Sequence, residues 1–241
     1  QLERPFDRTP GSPARAWPCP EDLARITDRL CAARRPVLIG GHGIWWSGAE
    51  RGLENAGRRL GIPVFNIPYH QKLLGEESES YMGLADIHQY PPSKFAIGES
   101  DVALVIGGRL DNQMNFGNPP LFPESTRLIC VNGSAEELEL NRAADETLLC
   151  DPGVFLDALC ELEGSDAWNL GRDWTEENRT RRRQWVQEME ADLARSDDGK
   201  TGIHPLQLAL AAQSPLGTDD WLVIDGGNTH FWSEIAINMA G

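Results

Sequence analysis

The strongest constraint on this chain is a short apolar run that recurs along it and repeatedly stops at glycine. Pro36-Val37-Leu38-Ile39 leads into Gly40-Gly41-His42-Gly43, and Val102-Ala103-Leu104-Val105-Ile106 leads into Gly107-Gly108. Arg127-Leu128-Ile129-Cys130-Val131 leads into Asn132-Gly133-Ser134. Ile62-Pro63-Val64-Phe65-Asn66-Ile67 and Thr147-Leu148-Leu149-Cys150 complete the set. A run too short for a helix, yet apolar at nearly every position, reads as a strand buried on both faces. Helical patterns fill the gaps. Leu23, Ile26 and Leu30 share one face behind Pro20, Glu21 and Asp22. Leu53, Ala56 and Leu60 share another, which Gly61 ends and Ser47 is placed to cap. A further helix runs through Leu138, and one follows Asp151-Pro152 to Leu162. Strands alternating with helices predict an α/β fold, a Rossmann-like doubly wound parallel sheet with a crevice at the carboxyl ends of its strands.

That domain spans 21–163. Residues 1–20 carry Pro5, Pro10, Pro13, Pro18 and Pro20 without apolar periodicity and read as an extended linker. Residues 164–200, with Trp168, Trp174 and Trp185, read as a charged helical connector. The basic run Arg179-Thr180-Arg181-Arg182-Arg183 lies among Glu176, Glu177, Glu188 and Glu190, as on a solvated helix face. At 201–241 the pattern restarts. Ile203-His204-Pro205 opens a helix with Leu206, Leu208, Ala209 and Leu210. A strand at Trp221-Leu222-Val223-Ile224 then enters Asp225-Gly226-Gly227-Asn228-Thr229-His230-Phe231-Trp232. One such unit cannot bury its own faces, so it reads as an incomplete second α/β unit. Its apolar Phe231, Trp232, Ile235, Ile237 and Met239 are expected to pack on the central domain or on a neighbouring chain.

Composition removes several function classes. At 40% hydrophobic and 24% charged residues the chain is globular. A net charge of −15 repels phosphate backbones and anionic lipid, which argues against nucleic acid and membrane partners. No apolar stretch nears the ~18 residues of a membrane span. The five cysteines are scattered, without metal-ligand spacing or a disulfide framework, and fit a reducing cytoplasm. Cys130 and Cys150 fall in apolar runs, as small core residues do. The five histidines have no metal-ligand spacing either, and no serine stands in a nucleophile elbow. No catalytic or metal-binding residue is assigned.

The ordered segments Arg35 to Gly43, Asp101 to Asp111, Leu128 to Asn132, Cys150-Asp151-Pro152 and Val223 to Asn228 resemble the thiamine-diphosphate enzymes. That family includes acetolactate synthase, benzaldehyde lyase, oxalyl-CoA decarboxylase and 2-hydroxyacyl-CoA lyase. The resemblance runs from about residue 20 onward. It implies three domains: a first that supplies a glutamate to the cofactor, a Rossmann-like middle one that sometimes holds FAD or ADP, and a last that binds diphosphate through Mg²⁺. Here residues 1–20 match the linker after the first domain, and 201–241 match only the start of the last. The metal motif, Gly-Asp-Gly with a later asparagine, does not occur. The resemblance thus implies a fragment of an enzyme that makes or cleaves C–C bonds beside a carbonyl, on a small 2-oxo acid or 2-hydroxyacyl substrate. Such a fragment is expected to be inert alone. The family's cofactor lies between subunits, which implies self-association as a homodimer or homotetramer. The alternative is a free-standing nucleotide-binding module without catalysis.

The candidate residues fall in two groups. Gly41, within Gly40–Gly43, could offer backbone N–H groups to a phosphate, or make a tight strand-to-helix turn. Gly108-Arg109-Leu110-Asp111 sits where flavin-bearing relatives place an arginine against FAD, although Arg109 could equally pair with Asp111 or a nearby loop. Asn132 stands where relatives carry an acidic residue facing a ribose. An amide accepts two ribose hydroxyls less well than a carboxylate, so FAD or ADP is not expected. The second group is Gly227, Asn228 and Thr229. Acetolactate synthases commonly place a glutamine and a histidine at the positions of Asn228 and Thr229, against the terminal phosphates. Asn228 and Thr229 are expected to touch thiamine diphosphate, and Asn228 could also simply cap the helix.

Overall fold

The computed structural model describes residues 14–68, 72–75, 78–86, 90–162, 171–196, 202–217, 220 and 222–239. Helix α1 (Pro20–Ala32) starts where the chain chemistry allows it. Pro20 fills its first turn and the Cys19 thiol accepts from the Asp22 N–H at 3.4 Å. The chain then turns sharply, because the backbone N–H groups of Arg34 and Arg35 both donate to the Asp101 carboxylate, at 2.7 and 2.9 Å. Strand β1 (Pro36–Gly40) follows and becomes the centre of a six-stranded sheet.

The other strands are β2 (Val64–Asn66), β3 (Tyr81–Leu84), β4 (Val102–Ile106), β5 (Arg127–Asn132) and β6 (Glu146–Leu149). Their spatial order is β3-β2-β1-β4-β5-β6 and every pairing is parallel. The chain therefore builds outward from β1 to one edge, then crosses back to β4 and builds to the other. Between β1 and β4 the connections leave in opposite directions, which opens a crevice at their carboxyl ends.

Successive strand residues point to opposite faces, so the sheet supports two cores. Leu38, Leu104, Ile106, Ile129 and Val131 meet α1, α3 (Glu50–Leu60) and α6 (Pro152–Glu161) through Ile26, Leu30, Leu53, Leu60, Phe155 and Leu159. Val37, Ile39, Val105, Leu128 and Cys130 meet α4 (Pro91–Gly98) through Ala96 and Ile97, with Met114, Phe122 and Trp174 beside them. Each such aliphatic side chain contributes about 1.5–3 kcal/mol of transfer free energy.

Two sequence expectations change here. Ser47 caps no helix start: it closes the six-residue α2 (His42–Ser47) and its hydroxyl donates to Gly43 O at 2.8 Å. Helix α3 begins behind Ala49 with no side-chain cap. Strand β3 was not anticipated, because Gly83 interrupts it at φ +100°. Only glycine fits there, since a Cβ would lie 2.6 Å from Tyr90 Cε1.

The long α7 (Arg172–Ser196) is more than a solvated connector. Trp174 is buried against Phe95, and Trp185 packs edge-on to Tyr90 at 4.8 Å between ring centres. Of its basic run, Arg182 Nε donates to Tyr90 Oη at 3.0 Å and Arg181 covers the Phe95 ring at 3.6 Å. Helix α8 (Pro205–Gln213) opens with a capping box between His204 and Gln207, and α9 (Asn228–Met239) packs beside it. Leu206, Ala209, Ile235 and Ala236 close on Leu84, Tyr90 and Trp185, so α8 and α9 lean on the β3 edge of the central sheet. Of the five apolar residues expected to pack in this way, Ile235 and Trp232 lie in this cluster. Between the two helices, residues 222–225 form no strand, which corrects the sequence reading. Leu222 and Val223 lie exposed, Val223 by 90%, and among the described residues no strand pairs with this segment. Trp168, Trp221 and the side chains of Ile237 and Met239 lie outside the described residues.

Candidate functional site

The crevice between β1 and β4 has a volume of about 380 Å³ and is lined by His42, Gly43, Trp46, Gly107, Gly108, Arg109, Asp111, Asn132 and Glu137. Its floor is the glycine turn after β1. There the strand ladder continues one step past the last strand residues. Gly41 N donates to Ile106 O at 2.9 Å, Gly43 N to Gly107 O at 2.8 Å, and Gly107 N to Val131 O at 2.8 Å. Ile44 N turns back to Gly41 O at 3.0 Å. Donors committed in this way do not face an incoming anion. Gly41 and Gly43 thus join the turn after β1 to the turn after β4. Gly41 itself lies beneath the crevice rather than on its wall, since a Cβ there would sit 2.6 Å from Gly107 O and 2.7 Å from Gly108 N.

Arg109 extends into the crevice and forms a two-pronged ion pair with Glu137, on the short helix α5 (Ala135–Leu138). Its Nε lies 2.7 Å from Glu137 Oε2, and Nη2 bonds Oε1. The partner is thus the short helix after β5 rather than Asp111, whose Oδ1 instead accepts from Gln113 N at 3.0 Å. The Arg109 guanidinium holds the Glu137 carboxyl below the usual carboxylate range. Asn132 also looks inward. Its Nδ2 donates to Gly108 O at 3.1 Å and its Oδ1 accepts from Ser134 N at 3.1 Å, so its amide ties the end of β5 to the turn after β4.

The wall opposite is aromatic. His42, Trp45 and Trp46 cluster with ring centres 4.7–5.7 Å apart, and Trp46 is 72% exposed. Sequence reasoning missed His42, Trp46, Asp111 and Glu137 as crevice residues. The adjacent pair Trp45-Trp46 after a glycine turn was the one local signal, whereas Glu137 lies 28 residues from Arg109 with nothing to link them.

The second group lies apart. None of Gly227, Asn228 and Thr229 lines the crevice. Gly227 adopts φ +78° and accepts from His230 N at 3.1 Å, so α9 begins at Asn228 and Gly227 occupies the cap position in its place. Asn228 and Thr229 are exposed, and the first turn of α9 carries no acidic residue. One residue on, His230 is buried with Nε2 3.4 Å from Glu234 Oε1, and burial lowers its pKa. Among the described residues no three His, Cys, Asp or Glu side chains converge as a metal site, and no helix is long and apolar enough to cross a membrane.

A family profile described as thiamine pyrophosphate enzyme, central domain, matches residues 23–159. The acetolactate synthase large subunit of Mycobacterium tuberculosis is 28% identical over 225 residues, covering 90% of this chain and 37% of that protein. The 2-hydroxyacyl-CoA lyase of Arabidopsis thaliana is 28% identical over 219 residues, covering 86% of this chain and 36% of that protein. The crystal structure of benzoylformate decarboxylase from Polynucleobacter necessarius superposes with a TM-score of 0.55 at 21% identity, over 67% of this chain and 30% of that one. The chain thus spans little more than a third of the length of these curated relatives.

Proposed function

Because this chain belongs to the thiamine pyrophosphate enzymes, whose central domain it carries, we propose that it serves an enzyme that makes or cleaves a C–C bond next to a carbonyl. The observation that carries this reading is similarity to an acetolactate synthase and a 2-hydroxyacyl-CoA lyase over 90% and 86% of the chain. The similarity therefore extends past the central domain. The reading of a free-standing nucleotide module gains nothing from these relatives, nor from a crevice in which Arg109 is already paired.

Thiamine diphosphate fits the start of α9. The first N–H groups of a helix have no carbonyl partner within it, and the helix dipole favours an anion there. No acidic side chain in that turn opposes such a charge. Asn228 adds an amide donor and Thr229 a hydroxyl, both exposed. When bound, thiamine diphosphate supplies a carbanion that adds to a carbonyl and holds the negative charge left on that carbon. The work of this chain's residues is then to hold and orient the diphosphate end. Mg²⁺ would draw its ligands from outside the described residues, since no cluster here suits it. The substrate class is a small 2-oxo acid or 2-hydroxyacyl compound, and the active form is a homo-oligomer.

The test is a cofactor titration by calorimetry on the whole enzyme with Asn228→Ala and Thr229→Ala. Each hydrogen bond lost to a charged group costs about 1.5–3 kcal/mol, so thiamine diphosphate affinity should fall at least tenfold. An unchanged Kd would remove both residues from the site.

A further inference from the structure

We propose that a second cavity, at the amino ends of β2 and β3, binds a small zwitterion that carries one carboxylate and one ammonium group. The cavity has a volume of about 470 Å³, which suits a small ligand, and lies between the end of α3, the start of β3 and the first turns of α7. This is the opposite end of the strands from the crevice. Its walls are tied together without a ligand. Thr175 Oγ1 donates to Gly61 O at 2.7 Å, and Arg179 joins the Glu79 carbonyl to the Glu176 carboxylate, the latter at 2.6 Å.

The charges select the ligand. Glu176 and Arg179 neutralise each other, and Glu176 also lies 3.5 Å from Arg183. That leaves Arg58 and Arg172 against Glu79 and Asp173. Among the described residues, neither of these guanidiniums meets a carboxylate and neither of these carboxylates meets a cation. Arg58 touches only the neutral Asn55 Oδ1, at 3.2 Å. Ser80 lines the same cavity although it is 4% exposed, and its hydroxyl has no partner among the described residues. Most buried hydroxyls in folded proteins have one, and a ligand oxygen would supply it. A phosphate would sit beside two carboxylates, and a simple amine beside two guanidiniums. A zwitterion satisfies both pairs in one molecule. Its carboxylate accepts from Arg58, Arg172 and the Ser80 hydroxyl, and its ammonium donates to Glu79 and Asp173. The positive end of the α7 dipole adds to the pull on the carboxylate. This inference is independent of the α9 reading, since no residue is shared.

The test titrates the protein by calorimetry with 4-aminobutyrate, and with butyrate and butylamine, each of which lacks one of its charges. Glycine, acetate and methylamine form a shorter set. In at least one set the zwitterion should bind at least tenfold tighter than either single-charge analogue. Arg172→Gln and Ser80→Ala should each weaken the zwitterion at least threefold. Glu79→Gln should weaken it as well while strengthening the carboxylate-only analogue, because one repelling charge is gone. Circular dichroism checks that each variant is folded. The proposal is overturned if neither zwitterion binds tighter than its analogues, if none of the compounds binds, or if the folded variants bind as the wild type does.

Discussion

Replacing Gly41 by alanine tests whether the glycine turn after β1 is structural. Gly41 has φ −115°, a value alanine adopts freely, so the backbone conformation sets no penalty. The penalty is steric. The new methyl would lie 2.6 Å from Gly107 O and 2.7 Å from Gly108 N, and both contacts are backbone that cannot rotate aside. Overpacking of this kind costs about 1–3 kcal/mol. The turn after β4 would have to retreat, which strains Gly41 N to Ile106 O and Gly43 N to Gly107 O. At about 0.5–1.5 kcal/mol for each bond, the total reaches about 2–6 kcal/mol. Against a typical stability of about 5–15 kcal/mol, that is a large share. Gly48→Ala is the control: φ is +63° but nothing lies within 4 Å of a Cβ, leaving only a left-handed backbone cost of about 1–2 kcal/mol. Urea denaturation followed by circular dichroism should show a midpoint about 1 M or more lower for Gly41→Ala at an unchanged slope. A shift no larger than that of Gly48→Ala would refute the steric argument.

Ile235→Ala should release α9 from the β3 edge, at a cost of about 2–5 kcal/mol for a buried isoleucine. Hydrogen exchange should then lose protection in residues 228–236 while β1 and β4 keep theirs; equal loss in both would mean that α9 does not dock as a separate unit. Ellman's reagent at pH 8 should modify the exposed Cys19 and Cys31 within minutes and reach the buried Cys130 and Cys150 only after unfolding. Burial pushes Cys130 up to about 12 and Cys150 up to about 11 from a free thiol's 9.0. Because those values are raised, the stability linked to these thiols is complete below pH 9.0. It is lost as pH climbs from 9.0, where the unfolded chain gives up its protons, towards about 11 and about 12, where the folded chain does. Urea midpoints that stay level from pH 8.5 to 10.5 would contradict this.

The sequence by itself determined the layered α/β class, because β1, β4 and β5 are apolar at consecutive positions and only a sheet covered on both faces buries such runs. It determined α1 and the stop of α3 at Gly61, since proline, cap and left-handed glycine act within a few residues of themselves. It also singled out Gly108, Arg109 and Asn132, which line the crevice between β1 and β4. Tertiary structure decided the rest. Strand order is a property of pairing, and neither β3 nor the failure of 222–225 to form a strand could be seen without knowing which neighbours were present. Arg109 could have met a ligand, Asp111 or a loop, and only the fold brings Glu137 to it. The glycine N–H groups after β1 read as free until β4 arrived beside them to accept. Local chemistry is written in adjacent residues, whereas a site is made by residues that meet only once long loops have closed.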